Sequence, residues 1–145
     1  MPKFNYSTVS TGEYQPIESG LIFPILNAMQ RQPAWDEVQI RPVSGCFPLL
    51  HVSWHSPFGY IVQCFEAPQS NGDFLSIQSS LSEPTVYVDL GGQTQELWPK
   101  ELFTPIDLAR RALDGILELG CGNTEVTWIG SSDFPRKTVR AKNQR

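Results

Sequence analysis

The chain has 145 residues, 40 % of them apolar and 18 % charged, with 8 Phe, 4 Trp and 4 Tyr, which suits one ordinary globular domain and excludes a largely disordered chain. Five of its 11 basic residues (Arg136, Lys137, Arg140, Lys142, Arg145) fall after Pro135, so Met1–Pro135 holds 6 basic against 15 acidic residues, a charge of −9 within a net −4. A body this acidic repels phosphate backbones and speeds encounters with basic partners, and no apolar run approaches the ~20 residues of a membrane helix.

In chain order, Lys3–Val9 alternates Phe4 and Tyr6 with polar residues as a short strand, and Gly12–Pro16 reads as a loop. Ser19–Arg31 reads as a helix: Leu21, Ile22, Ile25, Leu26 and Met29 recur at helical spacing, Ser19 is placed to cap it, and Pro33 stops it. The period then becomes two. Glu37–Val43 puts Val38 and Ile40 on one face, and Phe47–His55 puts Leu50, Val52 and Trp54 together with His51, Ser53 and His55 opposite. Phe58–Phe65 follows closely enough for an antiparallel hairpin. Asp73–Gln78 is a weaker strand, and Thr85–Leu90 faces Val86, Val88 and Leu90 inward before Gly91-Gly92 ends it.

The clearest helix comes next. Thr104 is its N-cap, Pro105 takes the first helical position, and Asp107 faces the positive end of the dipole. Ala109, Ala112, Leu113, Ile116 and Leu117 form one apolar stripe, Arg110, Arg111, Asp114 and Glu118 stay wet, and Gly120 supplies the stop. A last strand, Glu125–Gly130, turns Val126 and Trp128 inward as core residues. The expected architecture is a single α+β domain over residues 1–135, a mainly antiparallel sheet packed against two helices. Residues 136–145, basic and aperiodic, are expected to be a disordered tail.

Motifs for catalysis are weak. His51 and His55 lie four apart on a strand, where ~3.3 Å per residue separates their Cα atoms by roughly 13 Å, too far to share one ion. There is no Gly-x-Ser-x-Gly elbow. Gly120-Cys121-Gly122 follows a helix, the wrong end for an anion. Asp36-Glu37, if extended, point to opposite faces. Cys46, Cys64 and Cys121 are an odd number with no close pair, which implies neither a disulfide framework nor a zinc ribbon, and fits buried or semi-buried thiols in a reducing cytoplasm. No catalytic residue, metal or cofactor is expected. A start of Met-Pro-Lys-Phe-Asn-Tyr has no apolar signal segment, so a cytoplasmic location is expected.

The C-terminal half carries a resemblance. Val86-Tyr87-Val88-Asp89, the Gly-Gly turn, Phe103-Thr104-Pro105-Ile106-Asp107-Leu108-Ala109-Arg110-Arg111-Ala112-Leu113, Gly120 and Val126-Thr127-Trp128 resemble the type-one immunity proteins of bacterial polymorphic toxin systems. Trp128 corresponds to that family's near-universal tryptophan, Ala109 and Ala112 to its small helix positions, Thr104-Pro105 to its capped helix start, and Gly120 to its turn. The resemblance spans roughly Ile17 to Gly130, more loosely in the N-terminal half; Cys46, Cys121 and the basic end lie outside its pattern. It implies an antidote that binds a cognate toxin domain, often a nucleic-acid deaminase or nuclease, in the cytoplasm of the producing cell and blocks its active site. The deaminase's own His-x-Glu and Pro-Cys-x-x-Cys signature is absent from the chain.

For contact with such a basic partner, the candidates are the loop and strand-end acids Asp73, Glu83, Asp89 and Glu96, with Trp98 as an aromatic anchor; Trp98 could equally be a lid packed on the sheet. Two other readings stand beside this one. A small enzyme or ligand carrier would use His51, His55 and Cys64 together at a sheet face. A secretion-system adaptor would also be acidic and cytoplasmic.

Overall fold

Alternation of apolar and polar residues builds the large sheet, and the helical stripe at residues 109–117 covers it. A computed structural model describes residues 4–8, 12–17, 22–32, 35–90, 94–119 and 126–141. Its elements are β1 (Phe4–Thr8), β2 (Gln15–Pro16), α1 (Ile22–Met29), β3 (Trp35–Pro42), β4 (Leu49–His55), β5 (Gly59–Phe65), β6 (Asp73–Ser76), β7 (Val86–Leu90), β8 (Thr94–Trp98), a 3₁₀ turn (Lys100–Leu102), α2 (Ile106–Leu119), β9 (Thr127–Gly130) and β10 (Lys137–Ala141). Seven strands form one antiparallel sheet in the order β2-β1-β3-β4-β5-β6-β9, and three form a second in the order β10-β8-β7. The molecule is α+β, with two helices packed against a mainly antiparallel sheet and a small sheet beside it.

Period-two patterning sets the register. Val38 stands opposite Val52 and Ile40 opposite Leu50, while Val52 meets Val62 and Leu50 meets Cys64 on β5. A one-residue slip would send this whole set to water, so the pairing is strongly specified. These side chains, with Tyr60 and Leu75, form the first core together with Ile22, Leu26 and Met29 of α1 and Ala109, Ala112, Leu113 and Ile116 of α2. Each fully buried Leu, Ile or Val is worth about 1.5–3 kcal/mol relative to exposure. One buried polar tie crosses this core: the Tyr60 hydroxyl donates to the Leu26 carbonyl, fixing α1 over β5. Burial pushes the Tyr60 phenol up to about 12, against a hydrogen bond from the Gln30 side that lowers it.

The second core lies on the opposite face, over one end of the large sheet. Ile61 of β5 and Phe74 of β6 meet Val86, Val88, Trp98, Leu102, Phe103 and Phe134. Phe74, Trp98 and Phe134 form a ring triad with centroids 5.1–5.3 Å apart and edge-to-face tilts, a geometry worth about 0.5–1.5 kcal/mol per pair beyond area burial. Glu101, 5 % exposed, closes this region. Its carboxylate accepts from the Ser82 N–H at 2.8 Å and from the Ser82 hydroxyl at 2.5 Å, pinning the β6–β7 connection. Burial pushes its pKa up, but the two Ser82 donors, its own backbone N–H and the Lys100 charge together hold it below the ordinary carboxylate value.

Where α2 begins, the chain docks on β5. Tyr60 and Thr104 exchange backbone hydrogen bonds of 2.9 and 2.8 Å, and the Thr104 hydroxyl also donates to the Tyr60 carbonyl at 2.9 Å. The expected cap residue therefore turns its hydroxyl to β5. Close approach needs Gly59, whose φ is +138° and where a Cβ would lie 2.7 Å from the Thr104 carbonyl oxygen.

Several expectations change. Gln15–Pro16, read as loop, pairs with β1 through Tyr6 and Asn5. The first helix starts at Ile22, and the Ser19 cap lies outside the described residues, as do the Gly91-Gly92 turn and Gly120. Thr94–Trp98 is a strand, β8, that the sequence did not suggest. Lys137–Ala141 is also a strand: Lys137 pairs with Leu97, Thr138 with Glu96 and Arg140 with Gln95. The domain therefore does not end at residue 135 before a disordered tail. Its C-terminal chain is held by a ladder to β8, and Phe134, just before it, is buried in the second core.

Candidate partner-binding surface

Of the five residues proposed from the sequence, the structure joins Trp98 and Glu96 by a hydrogen bond. Trp98 is 5 % exposed and its Nε1–H donates to Glu96 Oε1 at 2.8 Å. It is a core residue, not an anchor offered to a partner, because β8 turns its even-numbered side chains toward Phe74 and Phe134. Glu96, on the same face of β8, is half-buried and engaged by that indole. Asp89 stands at the register position opposite Gln95; its side chain lies outside the described residues. Glu83 is exposed in the β6–β7 connection, and Asp73 is half-buried at the start of β6. The positions that carry the family resemblance are packing positions: Thr104, Ala109 and Ala112 are fully buried, and Trp128 and Val126 pack half-buried against the first core.

The part of the second face that the small sheet leaves uncovered is polar. It carries Glu37 and Gln39 of β3, His51, Ser53 and His55 of β4, and Gln63 of β5. His51 Nε2 lies 2.5 Å from Glu37 Oε1, and His55 Nε2 lies 3.0 Å from Ser53 Oγ. A hydrolytic triad needs the hydroxyl and the carboxylate on the two nitrogens of one imidazole. Here each partner has its own histidine. His55 also meets the Phe103 ring edge-on at 5.7 Å, and burial, followed by the charge of His51, lowers its pKa against the pull of Glu37. Cys64 lies on the other face of the sheet, buried in the first core as expected, whereas Cys46, expected to be at least half-buried, is exposed before β4, and Cys121 lies outside the described residues. The His51–His55–Cys64 constellation is not assembled. Among the described residues no three His, Cys, Asp or Glu side chains come together as a metal site.

A third region went unnoticed in the sequence. A cleft of about 310 Å³ opens beside β9, lined by Ser79, Leu81, Trp128, Ile129, Gly130, Asp133 and Pro135. The two aspartates Asp73 and Asp133 flank Gly130: a Cβ there would lie 2.8 Å from Asp133 Oδ2 and 3.7 Å from Asp73 Oδ1. Arg136 is nearby, but its guanidinium donates to the Ser131 carbonyl and hydroxyl and lies over the Phe134 ring. The only sequence signal for this cleft is the polar Ser131-Ser132-Asp133 turn after a strand.

Among the described residues a lysine or arginine stands within 4.0 Å of a carboxylate at one place, Arg110 with Asp114 at 3.6 Å. No helix of the described residues is long and apolar enough to cross a membrane. Compared with protein-family models, curated proteins and solved structures, the chain finds no match.

Proposed function

We propose that the chain is an immunity protein, a stoichiometric inhibitor that binds a cognate toxin domain in the cytoplasm of the producing cell and occludes its active site. The toxin is a nucleic-acid-acting enzyme, a deaminase or nuclease, whose groove is basic because its substrate is polyanionic. The observation that carries this reading is the excess of carboxylates: Glu83, Asp73 and Asp133 are on or near the surface with no lysine or arginine within 4.0 Å among the described residues, and Met1–Ala141 as a whole holds 9 basic against 15 acidic residues. Such a field accelerates encounter with a basic groove and weakens as salt screens it. The resemblance of Phe103–Leu113 and Val126–Trp128 to the type-one immunity family supports the same reading.

The test is co-expression with the toxic C-terminal domain encoded beside the gene for this chain. Protection of the cell, a one-to-one complex on size exclusion and an association rate that falls steeply with salt are expected. A toxin that stays lethal, with no complex formed, overturns the proposal.

A further inference from the structure

Among the described residues, β9 is the last strand of the large sheet, paired on one side only, with β6. The ladder dictates which of its backbone groups are spoken for. Ser131 N–H donates to the Gly72 carbonyl, continuing the register in which Asp73 faces Gly130 and Leu75 faces Trp128. In an antiparallel pair the bonded residues alternate, so Ile129 and Thr127 bond to β6, while the N–H and C=O of Trp128 and the N–H of Gly130 turn to the outer edge. The Gly130 carbonyl on that side accepts the Asp133 N–H at 2.9 Å. The cleft described above is lined by Trp128, Ile129 and Gly130 of this strand and by Leu81; Trp128 packs toward the first core, Ile129 and Leu81 toward the second.

Resting on the immunity reading, we infer that the outer edge of β9 is where the toxin docks, by adding an extended, basic segment of about four residues as a further strand. Strand addition draws affinity from main-chain hydrogen bonds and specificity from alternate side chains. Trp128 and Gly130 supply the former. Side chains of the added strand on the Trp128 face meet that residue and the Asp73 and Asp133 carboxylates, and the alternate ones meet Leu81 on the Ile129 face. Those two acids stand without a lysine or arginine within 4.0 Å among the described residues, so the segment that fits carries a lysine or arginine at that position. This occupant also answers the hazard of an unpaired edge, which otherwise invites non-specific pairing.

Amide hydrogen exchange measured on the free chain and on its complex with the toxin domain tests the inference. The Trp128 and Gly130 amides should exchange freely in the chain alone and slow at least tenfold in the complex. Asp133→Lys, on an exposed turn, should weaken toxin binding at least tenfold while leaving the thermal midpoint within a degree or two. A wild-type complex that leaves both amides unprotected and is indifferent to Asp133→Lys overturns the docking site and leaves the immunity reading intact, whereas absence of any complex overturns the immunity reading itself. Protection already present in the free monomer, or appearing only as a concentration-dependent dimer, would assign the edge to this chain's own residues or to a second copy and likewise overturn it.

Discussion

Aliphatic side chains fill the face of the large sheet under the two helices, whereas rings cover one end of the other face under the small sheet. The first core draws on β-strands adjacent in order and on a helix with one continuous apolar stripe. The second gathers Phe74, Trp98 and Phe134 from three separated segments and is closed by a buried carboxylate. The difference teaches how a short chain covers both faces of a sheet. A helix brings several apolar residues on one element, but a small sheet brings one or two per strand, so large rings must make up the volume.

That contrast can be broken most forcefully at Trp98. Trp98→Ala empties the middle of the ring triad and is expected to cost about 3–5 kcal/mol, with Leu113→Ala in the first core costing about 2–5 kcal/mol. Urea unfolding followed by far-ultraviolet circular dichroism and by tryptophan fluorescence would check both. Coincident transitions mean that the two cores melt as one unit; separate ones mean that the small sheet loosens first. Gly59→Ala attacks the junction between the cores, since its Cβ meets the Thr104 carbonyl at a φ that side chains rarely adopt. A loss of about 1–3 kcal/mol is expected, read as a lower urea midpoint.

Smaller effects sharpen the comparison through the polar ties. Tyr60→Phe removes the donor to the Leu26 carbonyl and should cost about 0.5–1.5 kcal/mol at neutral pH. Because burial raises the Tyr60 pKa, its contribution is whole below the ordinary phenol value of about 10 and is lost as pH rises above it; the variant should flatten that alkaline decline. Glu101 gives the reverse sign. Its folded pKa is held down, so its contribution is present above the ordinary carboxylate value of about 4.3 and is lost as pH falls below it. Fluorescence of Trp98, beside the pinned connection, should change in acid before the helical signal does. His55, also lowered, adds a shallower loss as pH falls below about 6.5, which His55→Gln should remove.

Legibility followed locality. The α2 stripe and its Thr104-Pro105 start are written within 14 residues, and the structure keeps Ala109, Ala112, Leu113 and Ile116 buried as read. The inward faces of β3 and β4 were equally plain, because alternation repeats over seven or eight residues; β5 is buried on both faces. The candidate contact residues were not legible. Trp98 looks exposed in a sequence of Glu96-Leu97-Trp98-Pro99, and only its pairing with Val86 across the small sheet turns it inward. The β9 cleft is assembled from residues 79–81 and 128–135, two stretches joined by no local pattern.

By itself, the amino-acid order determined the helix over residues 106–119, the inward faces of the central strands, and an acidic chain whose bases crowd its end. Tertiary structure alone decided that Lys137 and Arg140 belong to a strand, that Trp98 is core, that Cys64 and the histidines lie back to back, and that β9 has an edge unpaired among the described residues. Periodicity records which side of an element avoids water, and that is a property of neighbours along the chain. Whether an edge is paired, as Glu96 is with Thr138, depends on a partner some forty residues away, and no local pattern encodes it.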